Sequence, residues 1–140
     1  MSYRNPPTAV DVLIEVYKGN EMQGIVLVKR GKEPFKGKWA ITGGFQEVGE
    51  SLEETAKRES EEETGLAVVI VAQLSVYSNP DRDPRGHVNS VGYVAQAYGI
   101  PRGGDDAAEA RVFPLDQLPH PLAFDHDKRL KEYRQWKAHK

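Results

Sequence analysis

GGFQEVGESLEETAKRESEEETGL, residues 43–66, is the stretch on which the reading of this chain turns. Ser51 followed three residues later by Glu54 makes a capping box, and Gly65 suits a left-handed C′ position. The spacing therefore predicts a helix over 52–64. Within it Glu53 precedes Lys57 and Glu54 precedes Arg58 at i,i+4, while Lys57 and Arg58 reach forward to Glu61 and Glu62. Glu59 and Glu63 fall outside this scheme, because the residue four before Glu59 is Thr55 and the residue four after it is Glu63 itself. Glu61, Glu62 and Glu63 also crowd the last turn, where the helix dipole prefers cations. Each penalty is small, about 0.2–0.5 kcal/mol for a like-charge pair and about 0.3–1 kcal/mol for an acid at the wrong end. A solvated helix tolerates them. Direction is what matters: Leu52, Ala56, Glu59 and Glu63 share one stripe, so the apolar face leads straight into the acids. Partly buried carboxylates without a basic partner call for a metal ion, and an all-oxygen cluster suits a hard cation such as magnesium or manganese.

Outward from the helix, the chain has 140 residues, 39% of them hydrophobic, a formal net charge of −2 and no cysteine. That is room for one domain over 1–140 with a real core, and it excludes disulfides, thiolate metal sites and cysteine nucleophiles. No apolar run approaches the roughly 18–20 residues needed to cross a bilayer, and MSYRNPPTAV at the start lacks an apolar signal region. The expectation is a soluble, cytoplasmic protein with no membrane partner. Near-neutral charge of mixed sign argues against a nucleic-acid surface. AVDVLIEVY (9–17) and GIVLVKR (24–30) read as a hairpin, and WAI (39–41) as a short strand running into the glycines. After the helix, 67–77 and 87–98 read as strands separated by the turn-rich SNPDRDPRGH, 111–113 as a last short strand, and 125–137 as a basic helix. Strands, helix, strands, helix is the order of a mixed sheet packed between helices.

Written as a pattern, Gly44, Glu50, Arg58, Glu59, Glu62, Glu63, Gly65 and Leu66 fit G-x5-E-x7-R-E-U-x-E-E-x-G-U, with U a bulky apolar residue. This resembles the signature of the Nudix hydrolases. Two positions depart from it: Ser60 stands where a larger apolar residue is expected, which would loosen the packing of the helix, and Thr42 stands where proline is common. The resemblance implies an α/β fold, an α/β/α sandwich with the mixed sheet in the middle. It also implies hydrolysis of a nucleoside diphosphate linked to another group, assisted by Mg2+ or Mn2+. Glu59, Glu62 and Glu63 become the expected metal ligands, joined by the Gly43 carbonyl. Arg58 is expected to point away from Glu59 and to orient the acids by pairing with Glu54 or Glu62, and Glu47 and Glu50 are outer-shell or second-metal groups. The general base stays open among the box glutamates and the loop acids Asp105, Asp106 and Glu109.

Pro80, 15 residues beyond Gly65, and the segment LAFDHDKRL are similar to what ADP-ribose pyrophosphatases of that family carry. On that resemblance the substrate is ADP-ribose and the products are AMP and ribose 5-phosphate. Arg30, Arg82 and Arg85 are then candidates for the substrate's phosphates or ribose, Gly44 for close approach to a phosphate, Phe35 or Tyr77 for the adenine face, and Pro80 for a further substrate-binding position. Two alternatives stand beside it: a house-cleaning hydrolase of oxidised or non-standard nucleoside triphosphates, and a module that senses ADP-ribose without cleaving it. His87, His120 and His126 lack metal-ligand spacing and read as surface or loop residues. Tyr133 and Trp136 read as helix packing, either on the chain's own core or on a second copy, and a homodimer is expected.

Overall fold

The computed structural model describes residues 5–104 and 107–140. Six strands, β1 (Thr8–Lys18), β2 (Glu21–Arg30), β3 (Trp39–Phe45), β4 (Val69–Tyr77), β5 (Asn89–Tyr98) and β6 (Ala107–Phe113), form one sheet in the order β4-β5-β1-β3-β2-β6. Two helices, α1 (Leu52–Thr64) and α2 (His126–Ala138), complete the described elements. β1 and β5 run parallel, from Thr8 opposite Asn89 to Tyr17 opposite Tyr98, whereas the other neighbours are antiparallel. The apolar run in β1 follows from its central place, since a strand covered on both faces has no reason to alternate. Val10, Val12, Ile14 and Val16 share a core with Ala56 of α1. Leu13 turns the other way, into a core with Leu130 and Tyr133 of α2. The sheet is therefore sandwiched between the helices, and Tyr133 and Trp136 pack on the chain's own core.

α1 ends where its caps end it. The Ser51 N–H donates to Glu54 Oε1 at 2.8 Å, the Glu54 N–H donates to Ser51 Oγ at 3.1 Å, and Gly65 takes φ 73°. Ser60 does not loosen the helix: it is fully buried and its hydroxyl donates to the Ala56 carbonyl at 2.7 Å, a back-bond that satisfies a small polar side chain in an apolar seat.

Three strand expectations need correction. The hairpin between β1 and β2 persists only near its turn, from Glu15 opposite Ile25 to Lys18 opposite Glu21. Beyond that, β3 enters between them. β3 itself runs through both glycines to Phe45, because β1 holds Gly43 and Gly44 in its ladder opposite Asp11 and Val10. β6 starts at Ala107 rather than at 111, paired with β2 as far as Arg30; alanine-rich AAEA has low strand propensity and hides it. Among the described residues, no helix is long and apolar enough to cross a membrane.

Candidate active site

The C-terminal half of β3, the apolar-to-acidic stripe of α1 and the loops before β5 and α2 enclose a cleft of about 360 Å³. Its acidic wall is built on the two glycines. The Gly43 N–H donates to Glu63 Oε1 at 3.0 Å. A Cβ at Gly44 would collide with the Glu59 carboxylate, and one at Gly43 would collide with the Val10 carbonyl of β1. One glycine is thus required by the acid and the other by the sheet.

Arg58 organises this wall, with Glu62 among its partners as expected, but with Glu50 and Glu59 in addition and towards Glu59 rather than away from it. Its Nε and Nη2 grip Glu50 at 2.6 and 3.0 Å, Nη1 reaches Glu59 at 2.6 Å and Glu62 at 3.2 Å, and Nη2 donates to the Phe45 carbonyl at 2.9 Å. Glu54 is occupied by the capping box instead. Glu59, expected to lack a partner in the helix, is held by its immediate neighbour; adjacent residues do not face each other on a helix, but a long guanidinium spans the gap. The Arg58 hydrogen bonds, aided by the Glu47 N–H and the Thr55 hydroxyl, lower the Glu50 carboxyl to about 2. The Arg58 guanidinium is raised in turn, first by its bonds to Glu50.

Glu59 and Glu63 line the cleft, whereas Glu62 turns to Arg58. Among the described residues no group of three or more His, Cys, Asp or Glu side chains is gathered to hold a metal ion as it stands. The donors nevertheless fit a hard cation in kind, being carboxylate oxygens and backbone beside a glycine that leaves them space.

Arg30, Lys32, Arg82 and Arg85 bring positive charge to the same cleft, with Phe45 and Phe124 between them. Arg82 is committed to structure: it clasps Asp125 with two bonds of 2.8 and 2.9 Å and the Val88 carbonyl at 3.2 Å. Arg85 is bonded to Asp83 and lies over two aromatic rings. Phe35 stands behind the cleft lining, edge-on to Phe124 with ring centres 4.8 Å apart. Tyr77 is not brought to the cleft. The Arg129 guanidinium covers its ring at 3.6 Å and its hydroxyl donates to Glu132 at 2.9 Å. Pro80 is exposed outside the lining, and Glu109 pairs with Arg111 on β6. Asp105 and Asp106 lie outside the described residues.

The floor of the cleft holds what sequence reasoning missed. Asp11 of β1 accepts from Ser90 Oγ at 2.9 Å and from Arg129 Nε at 3.1 Å, and faces His126 Nε2 at 3.3 Å. Contrary to the surface or loop reading, His126 is buried, and its Nδ1 accepts the Ile41 N–H at 2.9 Å. With Nδ1 accepting, Nε2 is the ring nitrogen that can donate towards Asp11. Arg129 is fully buried and also donates to the carbonyls of Ser75 and Ser90 and to Glu132. Burial works to raise the Asp11 carboxyl, but His126, Arg129 and Ser90 together hold it well below the usual carboxylate range. The available signals were an aspartate inside the apolar run AVDVLIEVY and an arginine on the inward face of the last helix.

A family model described as NUDIX domain matches residues 6–136. An ADP-ribose pyrophosphatase of Methanocaldococcus jannaschii is 50% identical over 136 residues, covering 96% of this chain and 77% of the relative. Among solved structures, a MutT/nudix family protein from Enterococcus faecalis superposes with a TM-score of 0.81 at 30% identity, over 99% of this chain and 64% of that one. The NUDIX domain of Shewanella oneidensis NrtR, co-crystallised with ADP ribose, gives a TM-score of 0.80 at 28% identity, over 96% of this chain and 90% of that one.

Proposed function

This chain belongs to the NUDIX family and is a pyrophosphatase of that family; from that premise we propose that it cleaves the diphosphate of ADP-ribose, giving AMP and ribose 5-phosphate, with a divalent cation of the magnesium class. The observation that carries the reading is the convergence of Glu59 and Glu63 on Gly43 and Gly44, across one cleft from Arg30 and Lys32. The identity to an ADP-ribose pyrophosphatase supports the choice of substrate.

Glu59 and Glu63, with the Gly43 carbonyl and with Glu62 drawn from Arg58, would hold the cation. A bound divalent ion neutralises diphosphate oxygens and lowers the pKa of a coordinated water. The protein's own residues do the rest. Arg58 fixes the Glu59 carboxylate by a 2.6 Å bond and thereby keeps it oriented. Arg30, which also donates to the Pro34 carbonyl at 2.6 Å, and Lys32 supply the positive charge in the same cleft that binds the phosphate oxygens. Water adds to one phosphorus, the bridging P–O bond breaks, and the proton lost by the water passes to a carboxylate of the acidic wall.

Glu63→Gln and Glu59→Gln test this. Each is expected to lower kcat for AMP release from ADP-ribose by at least about 10²-fold while the far-ultraviolet circular dichroism stays that of the parent. Magnesium-dependent turnover surviving unchanged in Glu63→Gln would remove the site assignment.

A further inference from the structure

We propose that Phe45 and Phe124 form a clamp for the planar base of the substrate, and that the Arg85 guanidinium holds its place until the base enters. The inference rests on reading the cleft as a nucleoside diphosphate site and adds which end takes the base. Arg85 Cζ lies 5.0 Å from the centre of the Phe45 ring and 4.9 Å from that of Phe124. The ring centres are therefore at most ~10 Å apart, and one flat cation lies over both. A guanidinium is planar and delocalised and stacks on aromatic faces as a base does.

Neither ring is fully buried, although Phe124 packs on one side against the small core of Val28, Ala40, Ala107 and Ala123. Phe45 ends β3, its side chain leaves the strand on the face opposite to that of Gly44, it lines the same cleft as Glu59, and its ring is exposed. Phe124 carries φ 54°, in the left-handed region that a bulky aromatic rarely enters, and such conformations cluster where a ligand is gripped. Phe35, itself at φ 63°, and the His126 ring at 5.4 Å pack against Phe124, and the guanidinium groups of Arg30 and Arg85 lie over its ring, each at 4.9 Å. Arg85 has an anchor outside the two rings: Asp83 is buried and binds it through Nε at 3.0 Å and Nη2 at 2.7 Å, so leaving the rings means pivoting about this carboxylate and giving up at least one of the two bonds.

Calorimetric titration of the whole protein with AMP and, separately, with ribose 5-phosphate tests the clamp, using Phe45→Leu, Phe124→Leu and Arg85→Ala with magnesium present. Each leucine variant is expected to weaken AMP by roughly five- to hundredfold, the range for loss of one base–aromatic stack, and to leave ribose 5-phosphate unmoved. Arg85→Ala is expected to tighten AMP a few-fold. Phe45 is exposed, so its variant folds even where the Phe124 variant does not. Unchanged AMP affinity in Phe45→Leu, equal losses for both ligands, weaker AMP binding in Arg85→Ala, or no AMP binding by the parent would each overturn the clamp. Hydrolysis by the parent reports on the underlying reading separately. A parent that binds AMP through the rings but releases none from ADP-ribose would overturn the proposed reaction and support the clamp.

Discussion

At Gly44 and Gly43 two neighbouring residues of the same type answer to different partners. A methyl group at Gly43 meets the Val10 carbonyl, which is backbone in the central strand and cannot step aside; one at Gly44 meets the end of the Glu59 side chain, which can. Gly43→Ala is therefore expected to lower the melting temperature sharply or to abolish soluble protein. Gly44→Ala is expected to fold with a nearly unchanged melting temperature and to lose about 10–100-fold in kcat, the usual scale when a group that orients a metal ligand is disturbed. Melting curves and kcat for the pair decide it, and a Gly44→Ala enzyme as active as the parent would end the claim that Glu59 is placed by this contact. The sequence suggests that both glycines permit close approach. It does not say to what, because that depends on Gly44 lying opposite Val10, a register set by residues more than thirty positions away.

α1 shows why helix arithmetic alone misassigned its charges. Caps, boundaries and the inward stripe are local, and Ser51, Glu54 and Gly65 reveal them fully. The partner of Arg58 is not local in that sense: Glu50 precedes the helix and reaches Arg58 eight residues on because the loop over 46–50 folds back beneath it, where the Glu47 N–H also donates to Glu50. This tether has a pH signature. The Glu50 carboxyl, ordinarily near 4.5, is lowered to about 2 by its bonds to Arg58, Glu47 and Thr55. A carboxyl lowered in the folded state contributes stability that is whole above its unfolded value and is lost as pH falls through the folded one. The contribution from Glu50 therefore disappears between about 4.5 and 2. Urea midpoints measured from pH 6 to pH 2.5 are expected to fall less steeply for Glu50→Gln than for the parent across that window. Parallel curves would mean that the pair is too well solvated to matter.

At the scale of the molecule, the order of strands and helices is legible because each element carries its own periodicity and breakers. Which strand becomes central, and what the last helix touches, are not, since both follow from contacts across most of the chain. Asp11 and Arg129 are the clearest case: 118 residues apart, they meet in the core, join β1 to α2, and with His126 and Ser90 close the cleft floor. A buried carboxylate whose cation is removed costs far more than the pair contributes. Arg129→Met is therefore expected to destabilise the protein by about 3–5 kcal/mol at pH 7, and Asp11→Asn in the same background to recover a large part of it. The loss is also expected to shrink on acidification. In the parent the Asp11 carboxyl lies below its ordinary 3.8, so its contribution is complete above that pH and declines beneath it. In the variant, burial without a counter-charge raises the same carboxyl, so it becomes neutral at a higher pH and relieves the strain there. Chemical denaturation of the four proteins of this cycle at pH 7 and pH 4 measures the coupling directly. Additive losses, or a deficit in Arg129→Met that does not narrow between those pH values, would show that the ionic floor contributes nothing to joining the two ends of the chain, and would leave that to the apolar face of α2 at Leu130 and Tyr133 and to the bonds of Tyr133 and Lys137 to Glu15 of β1.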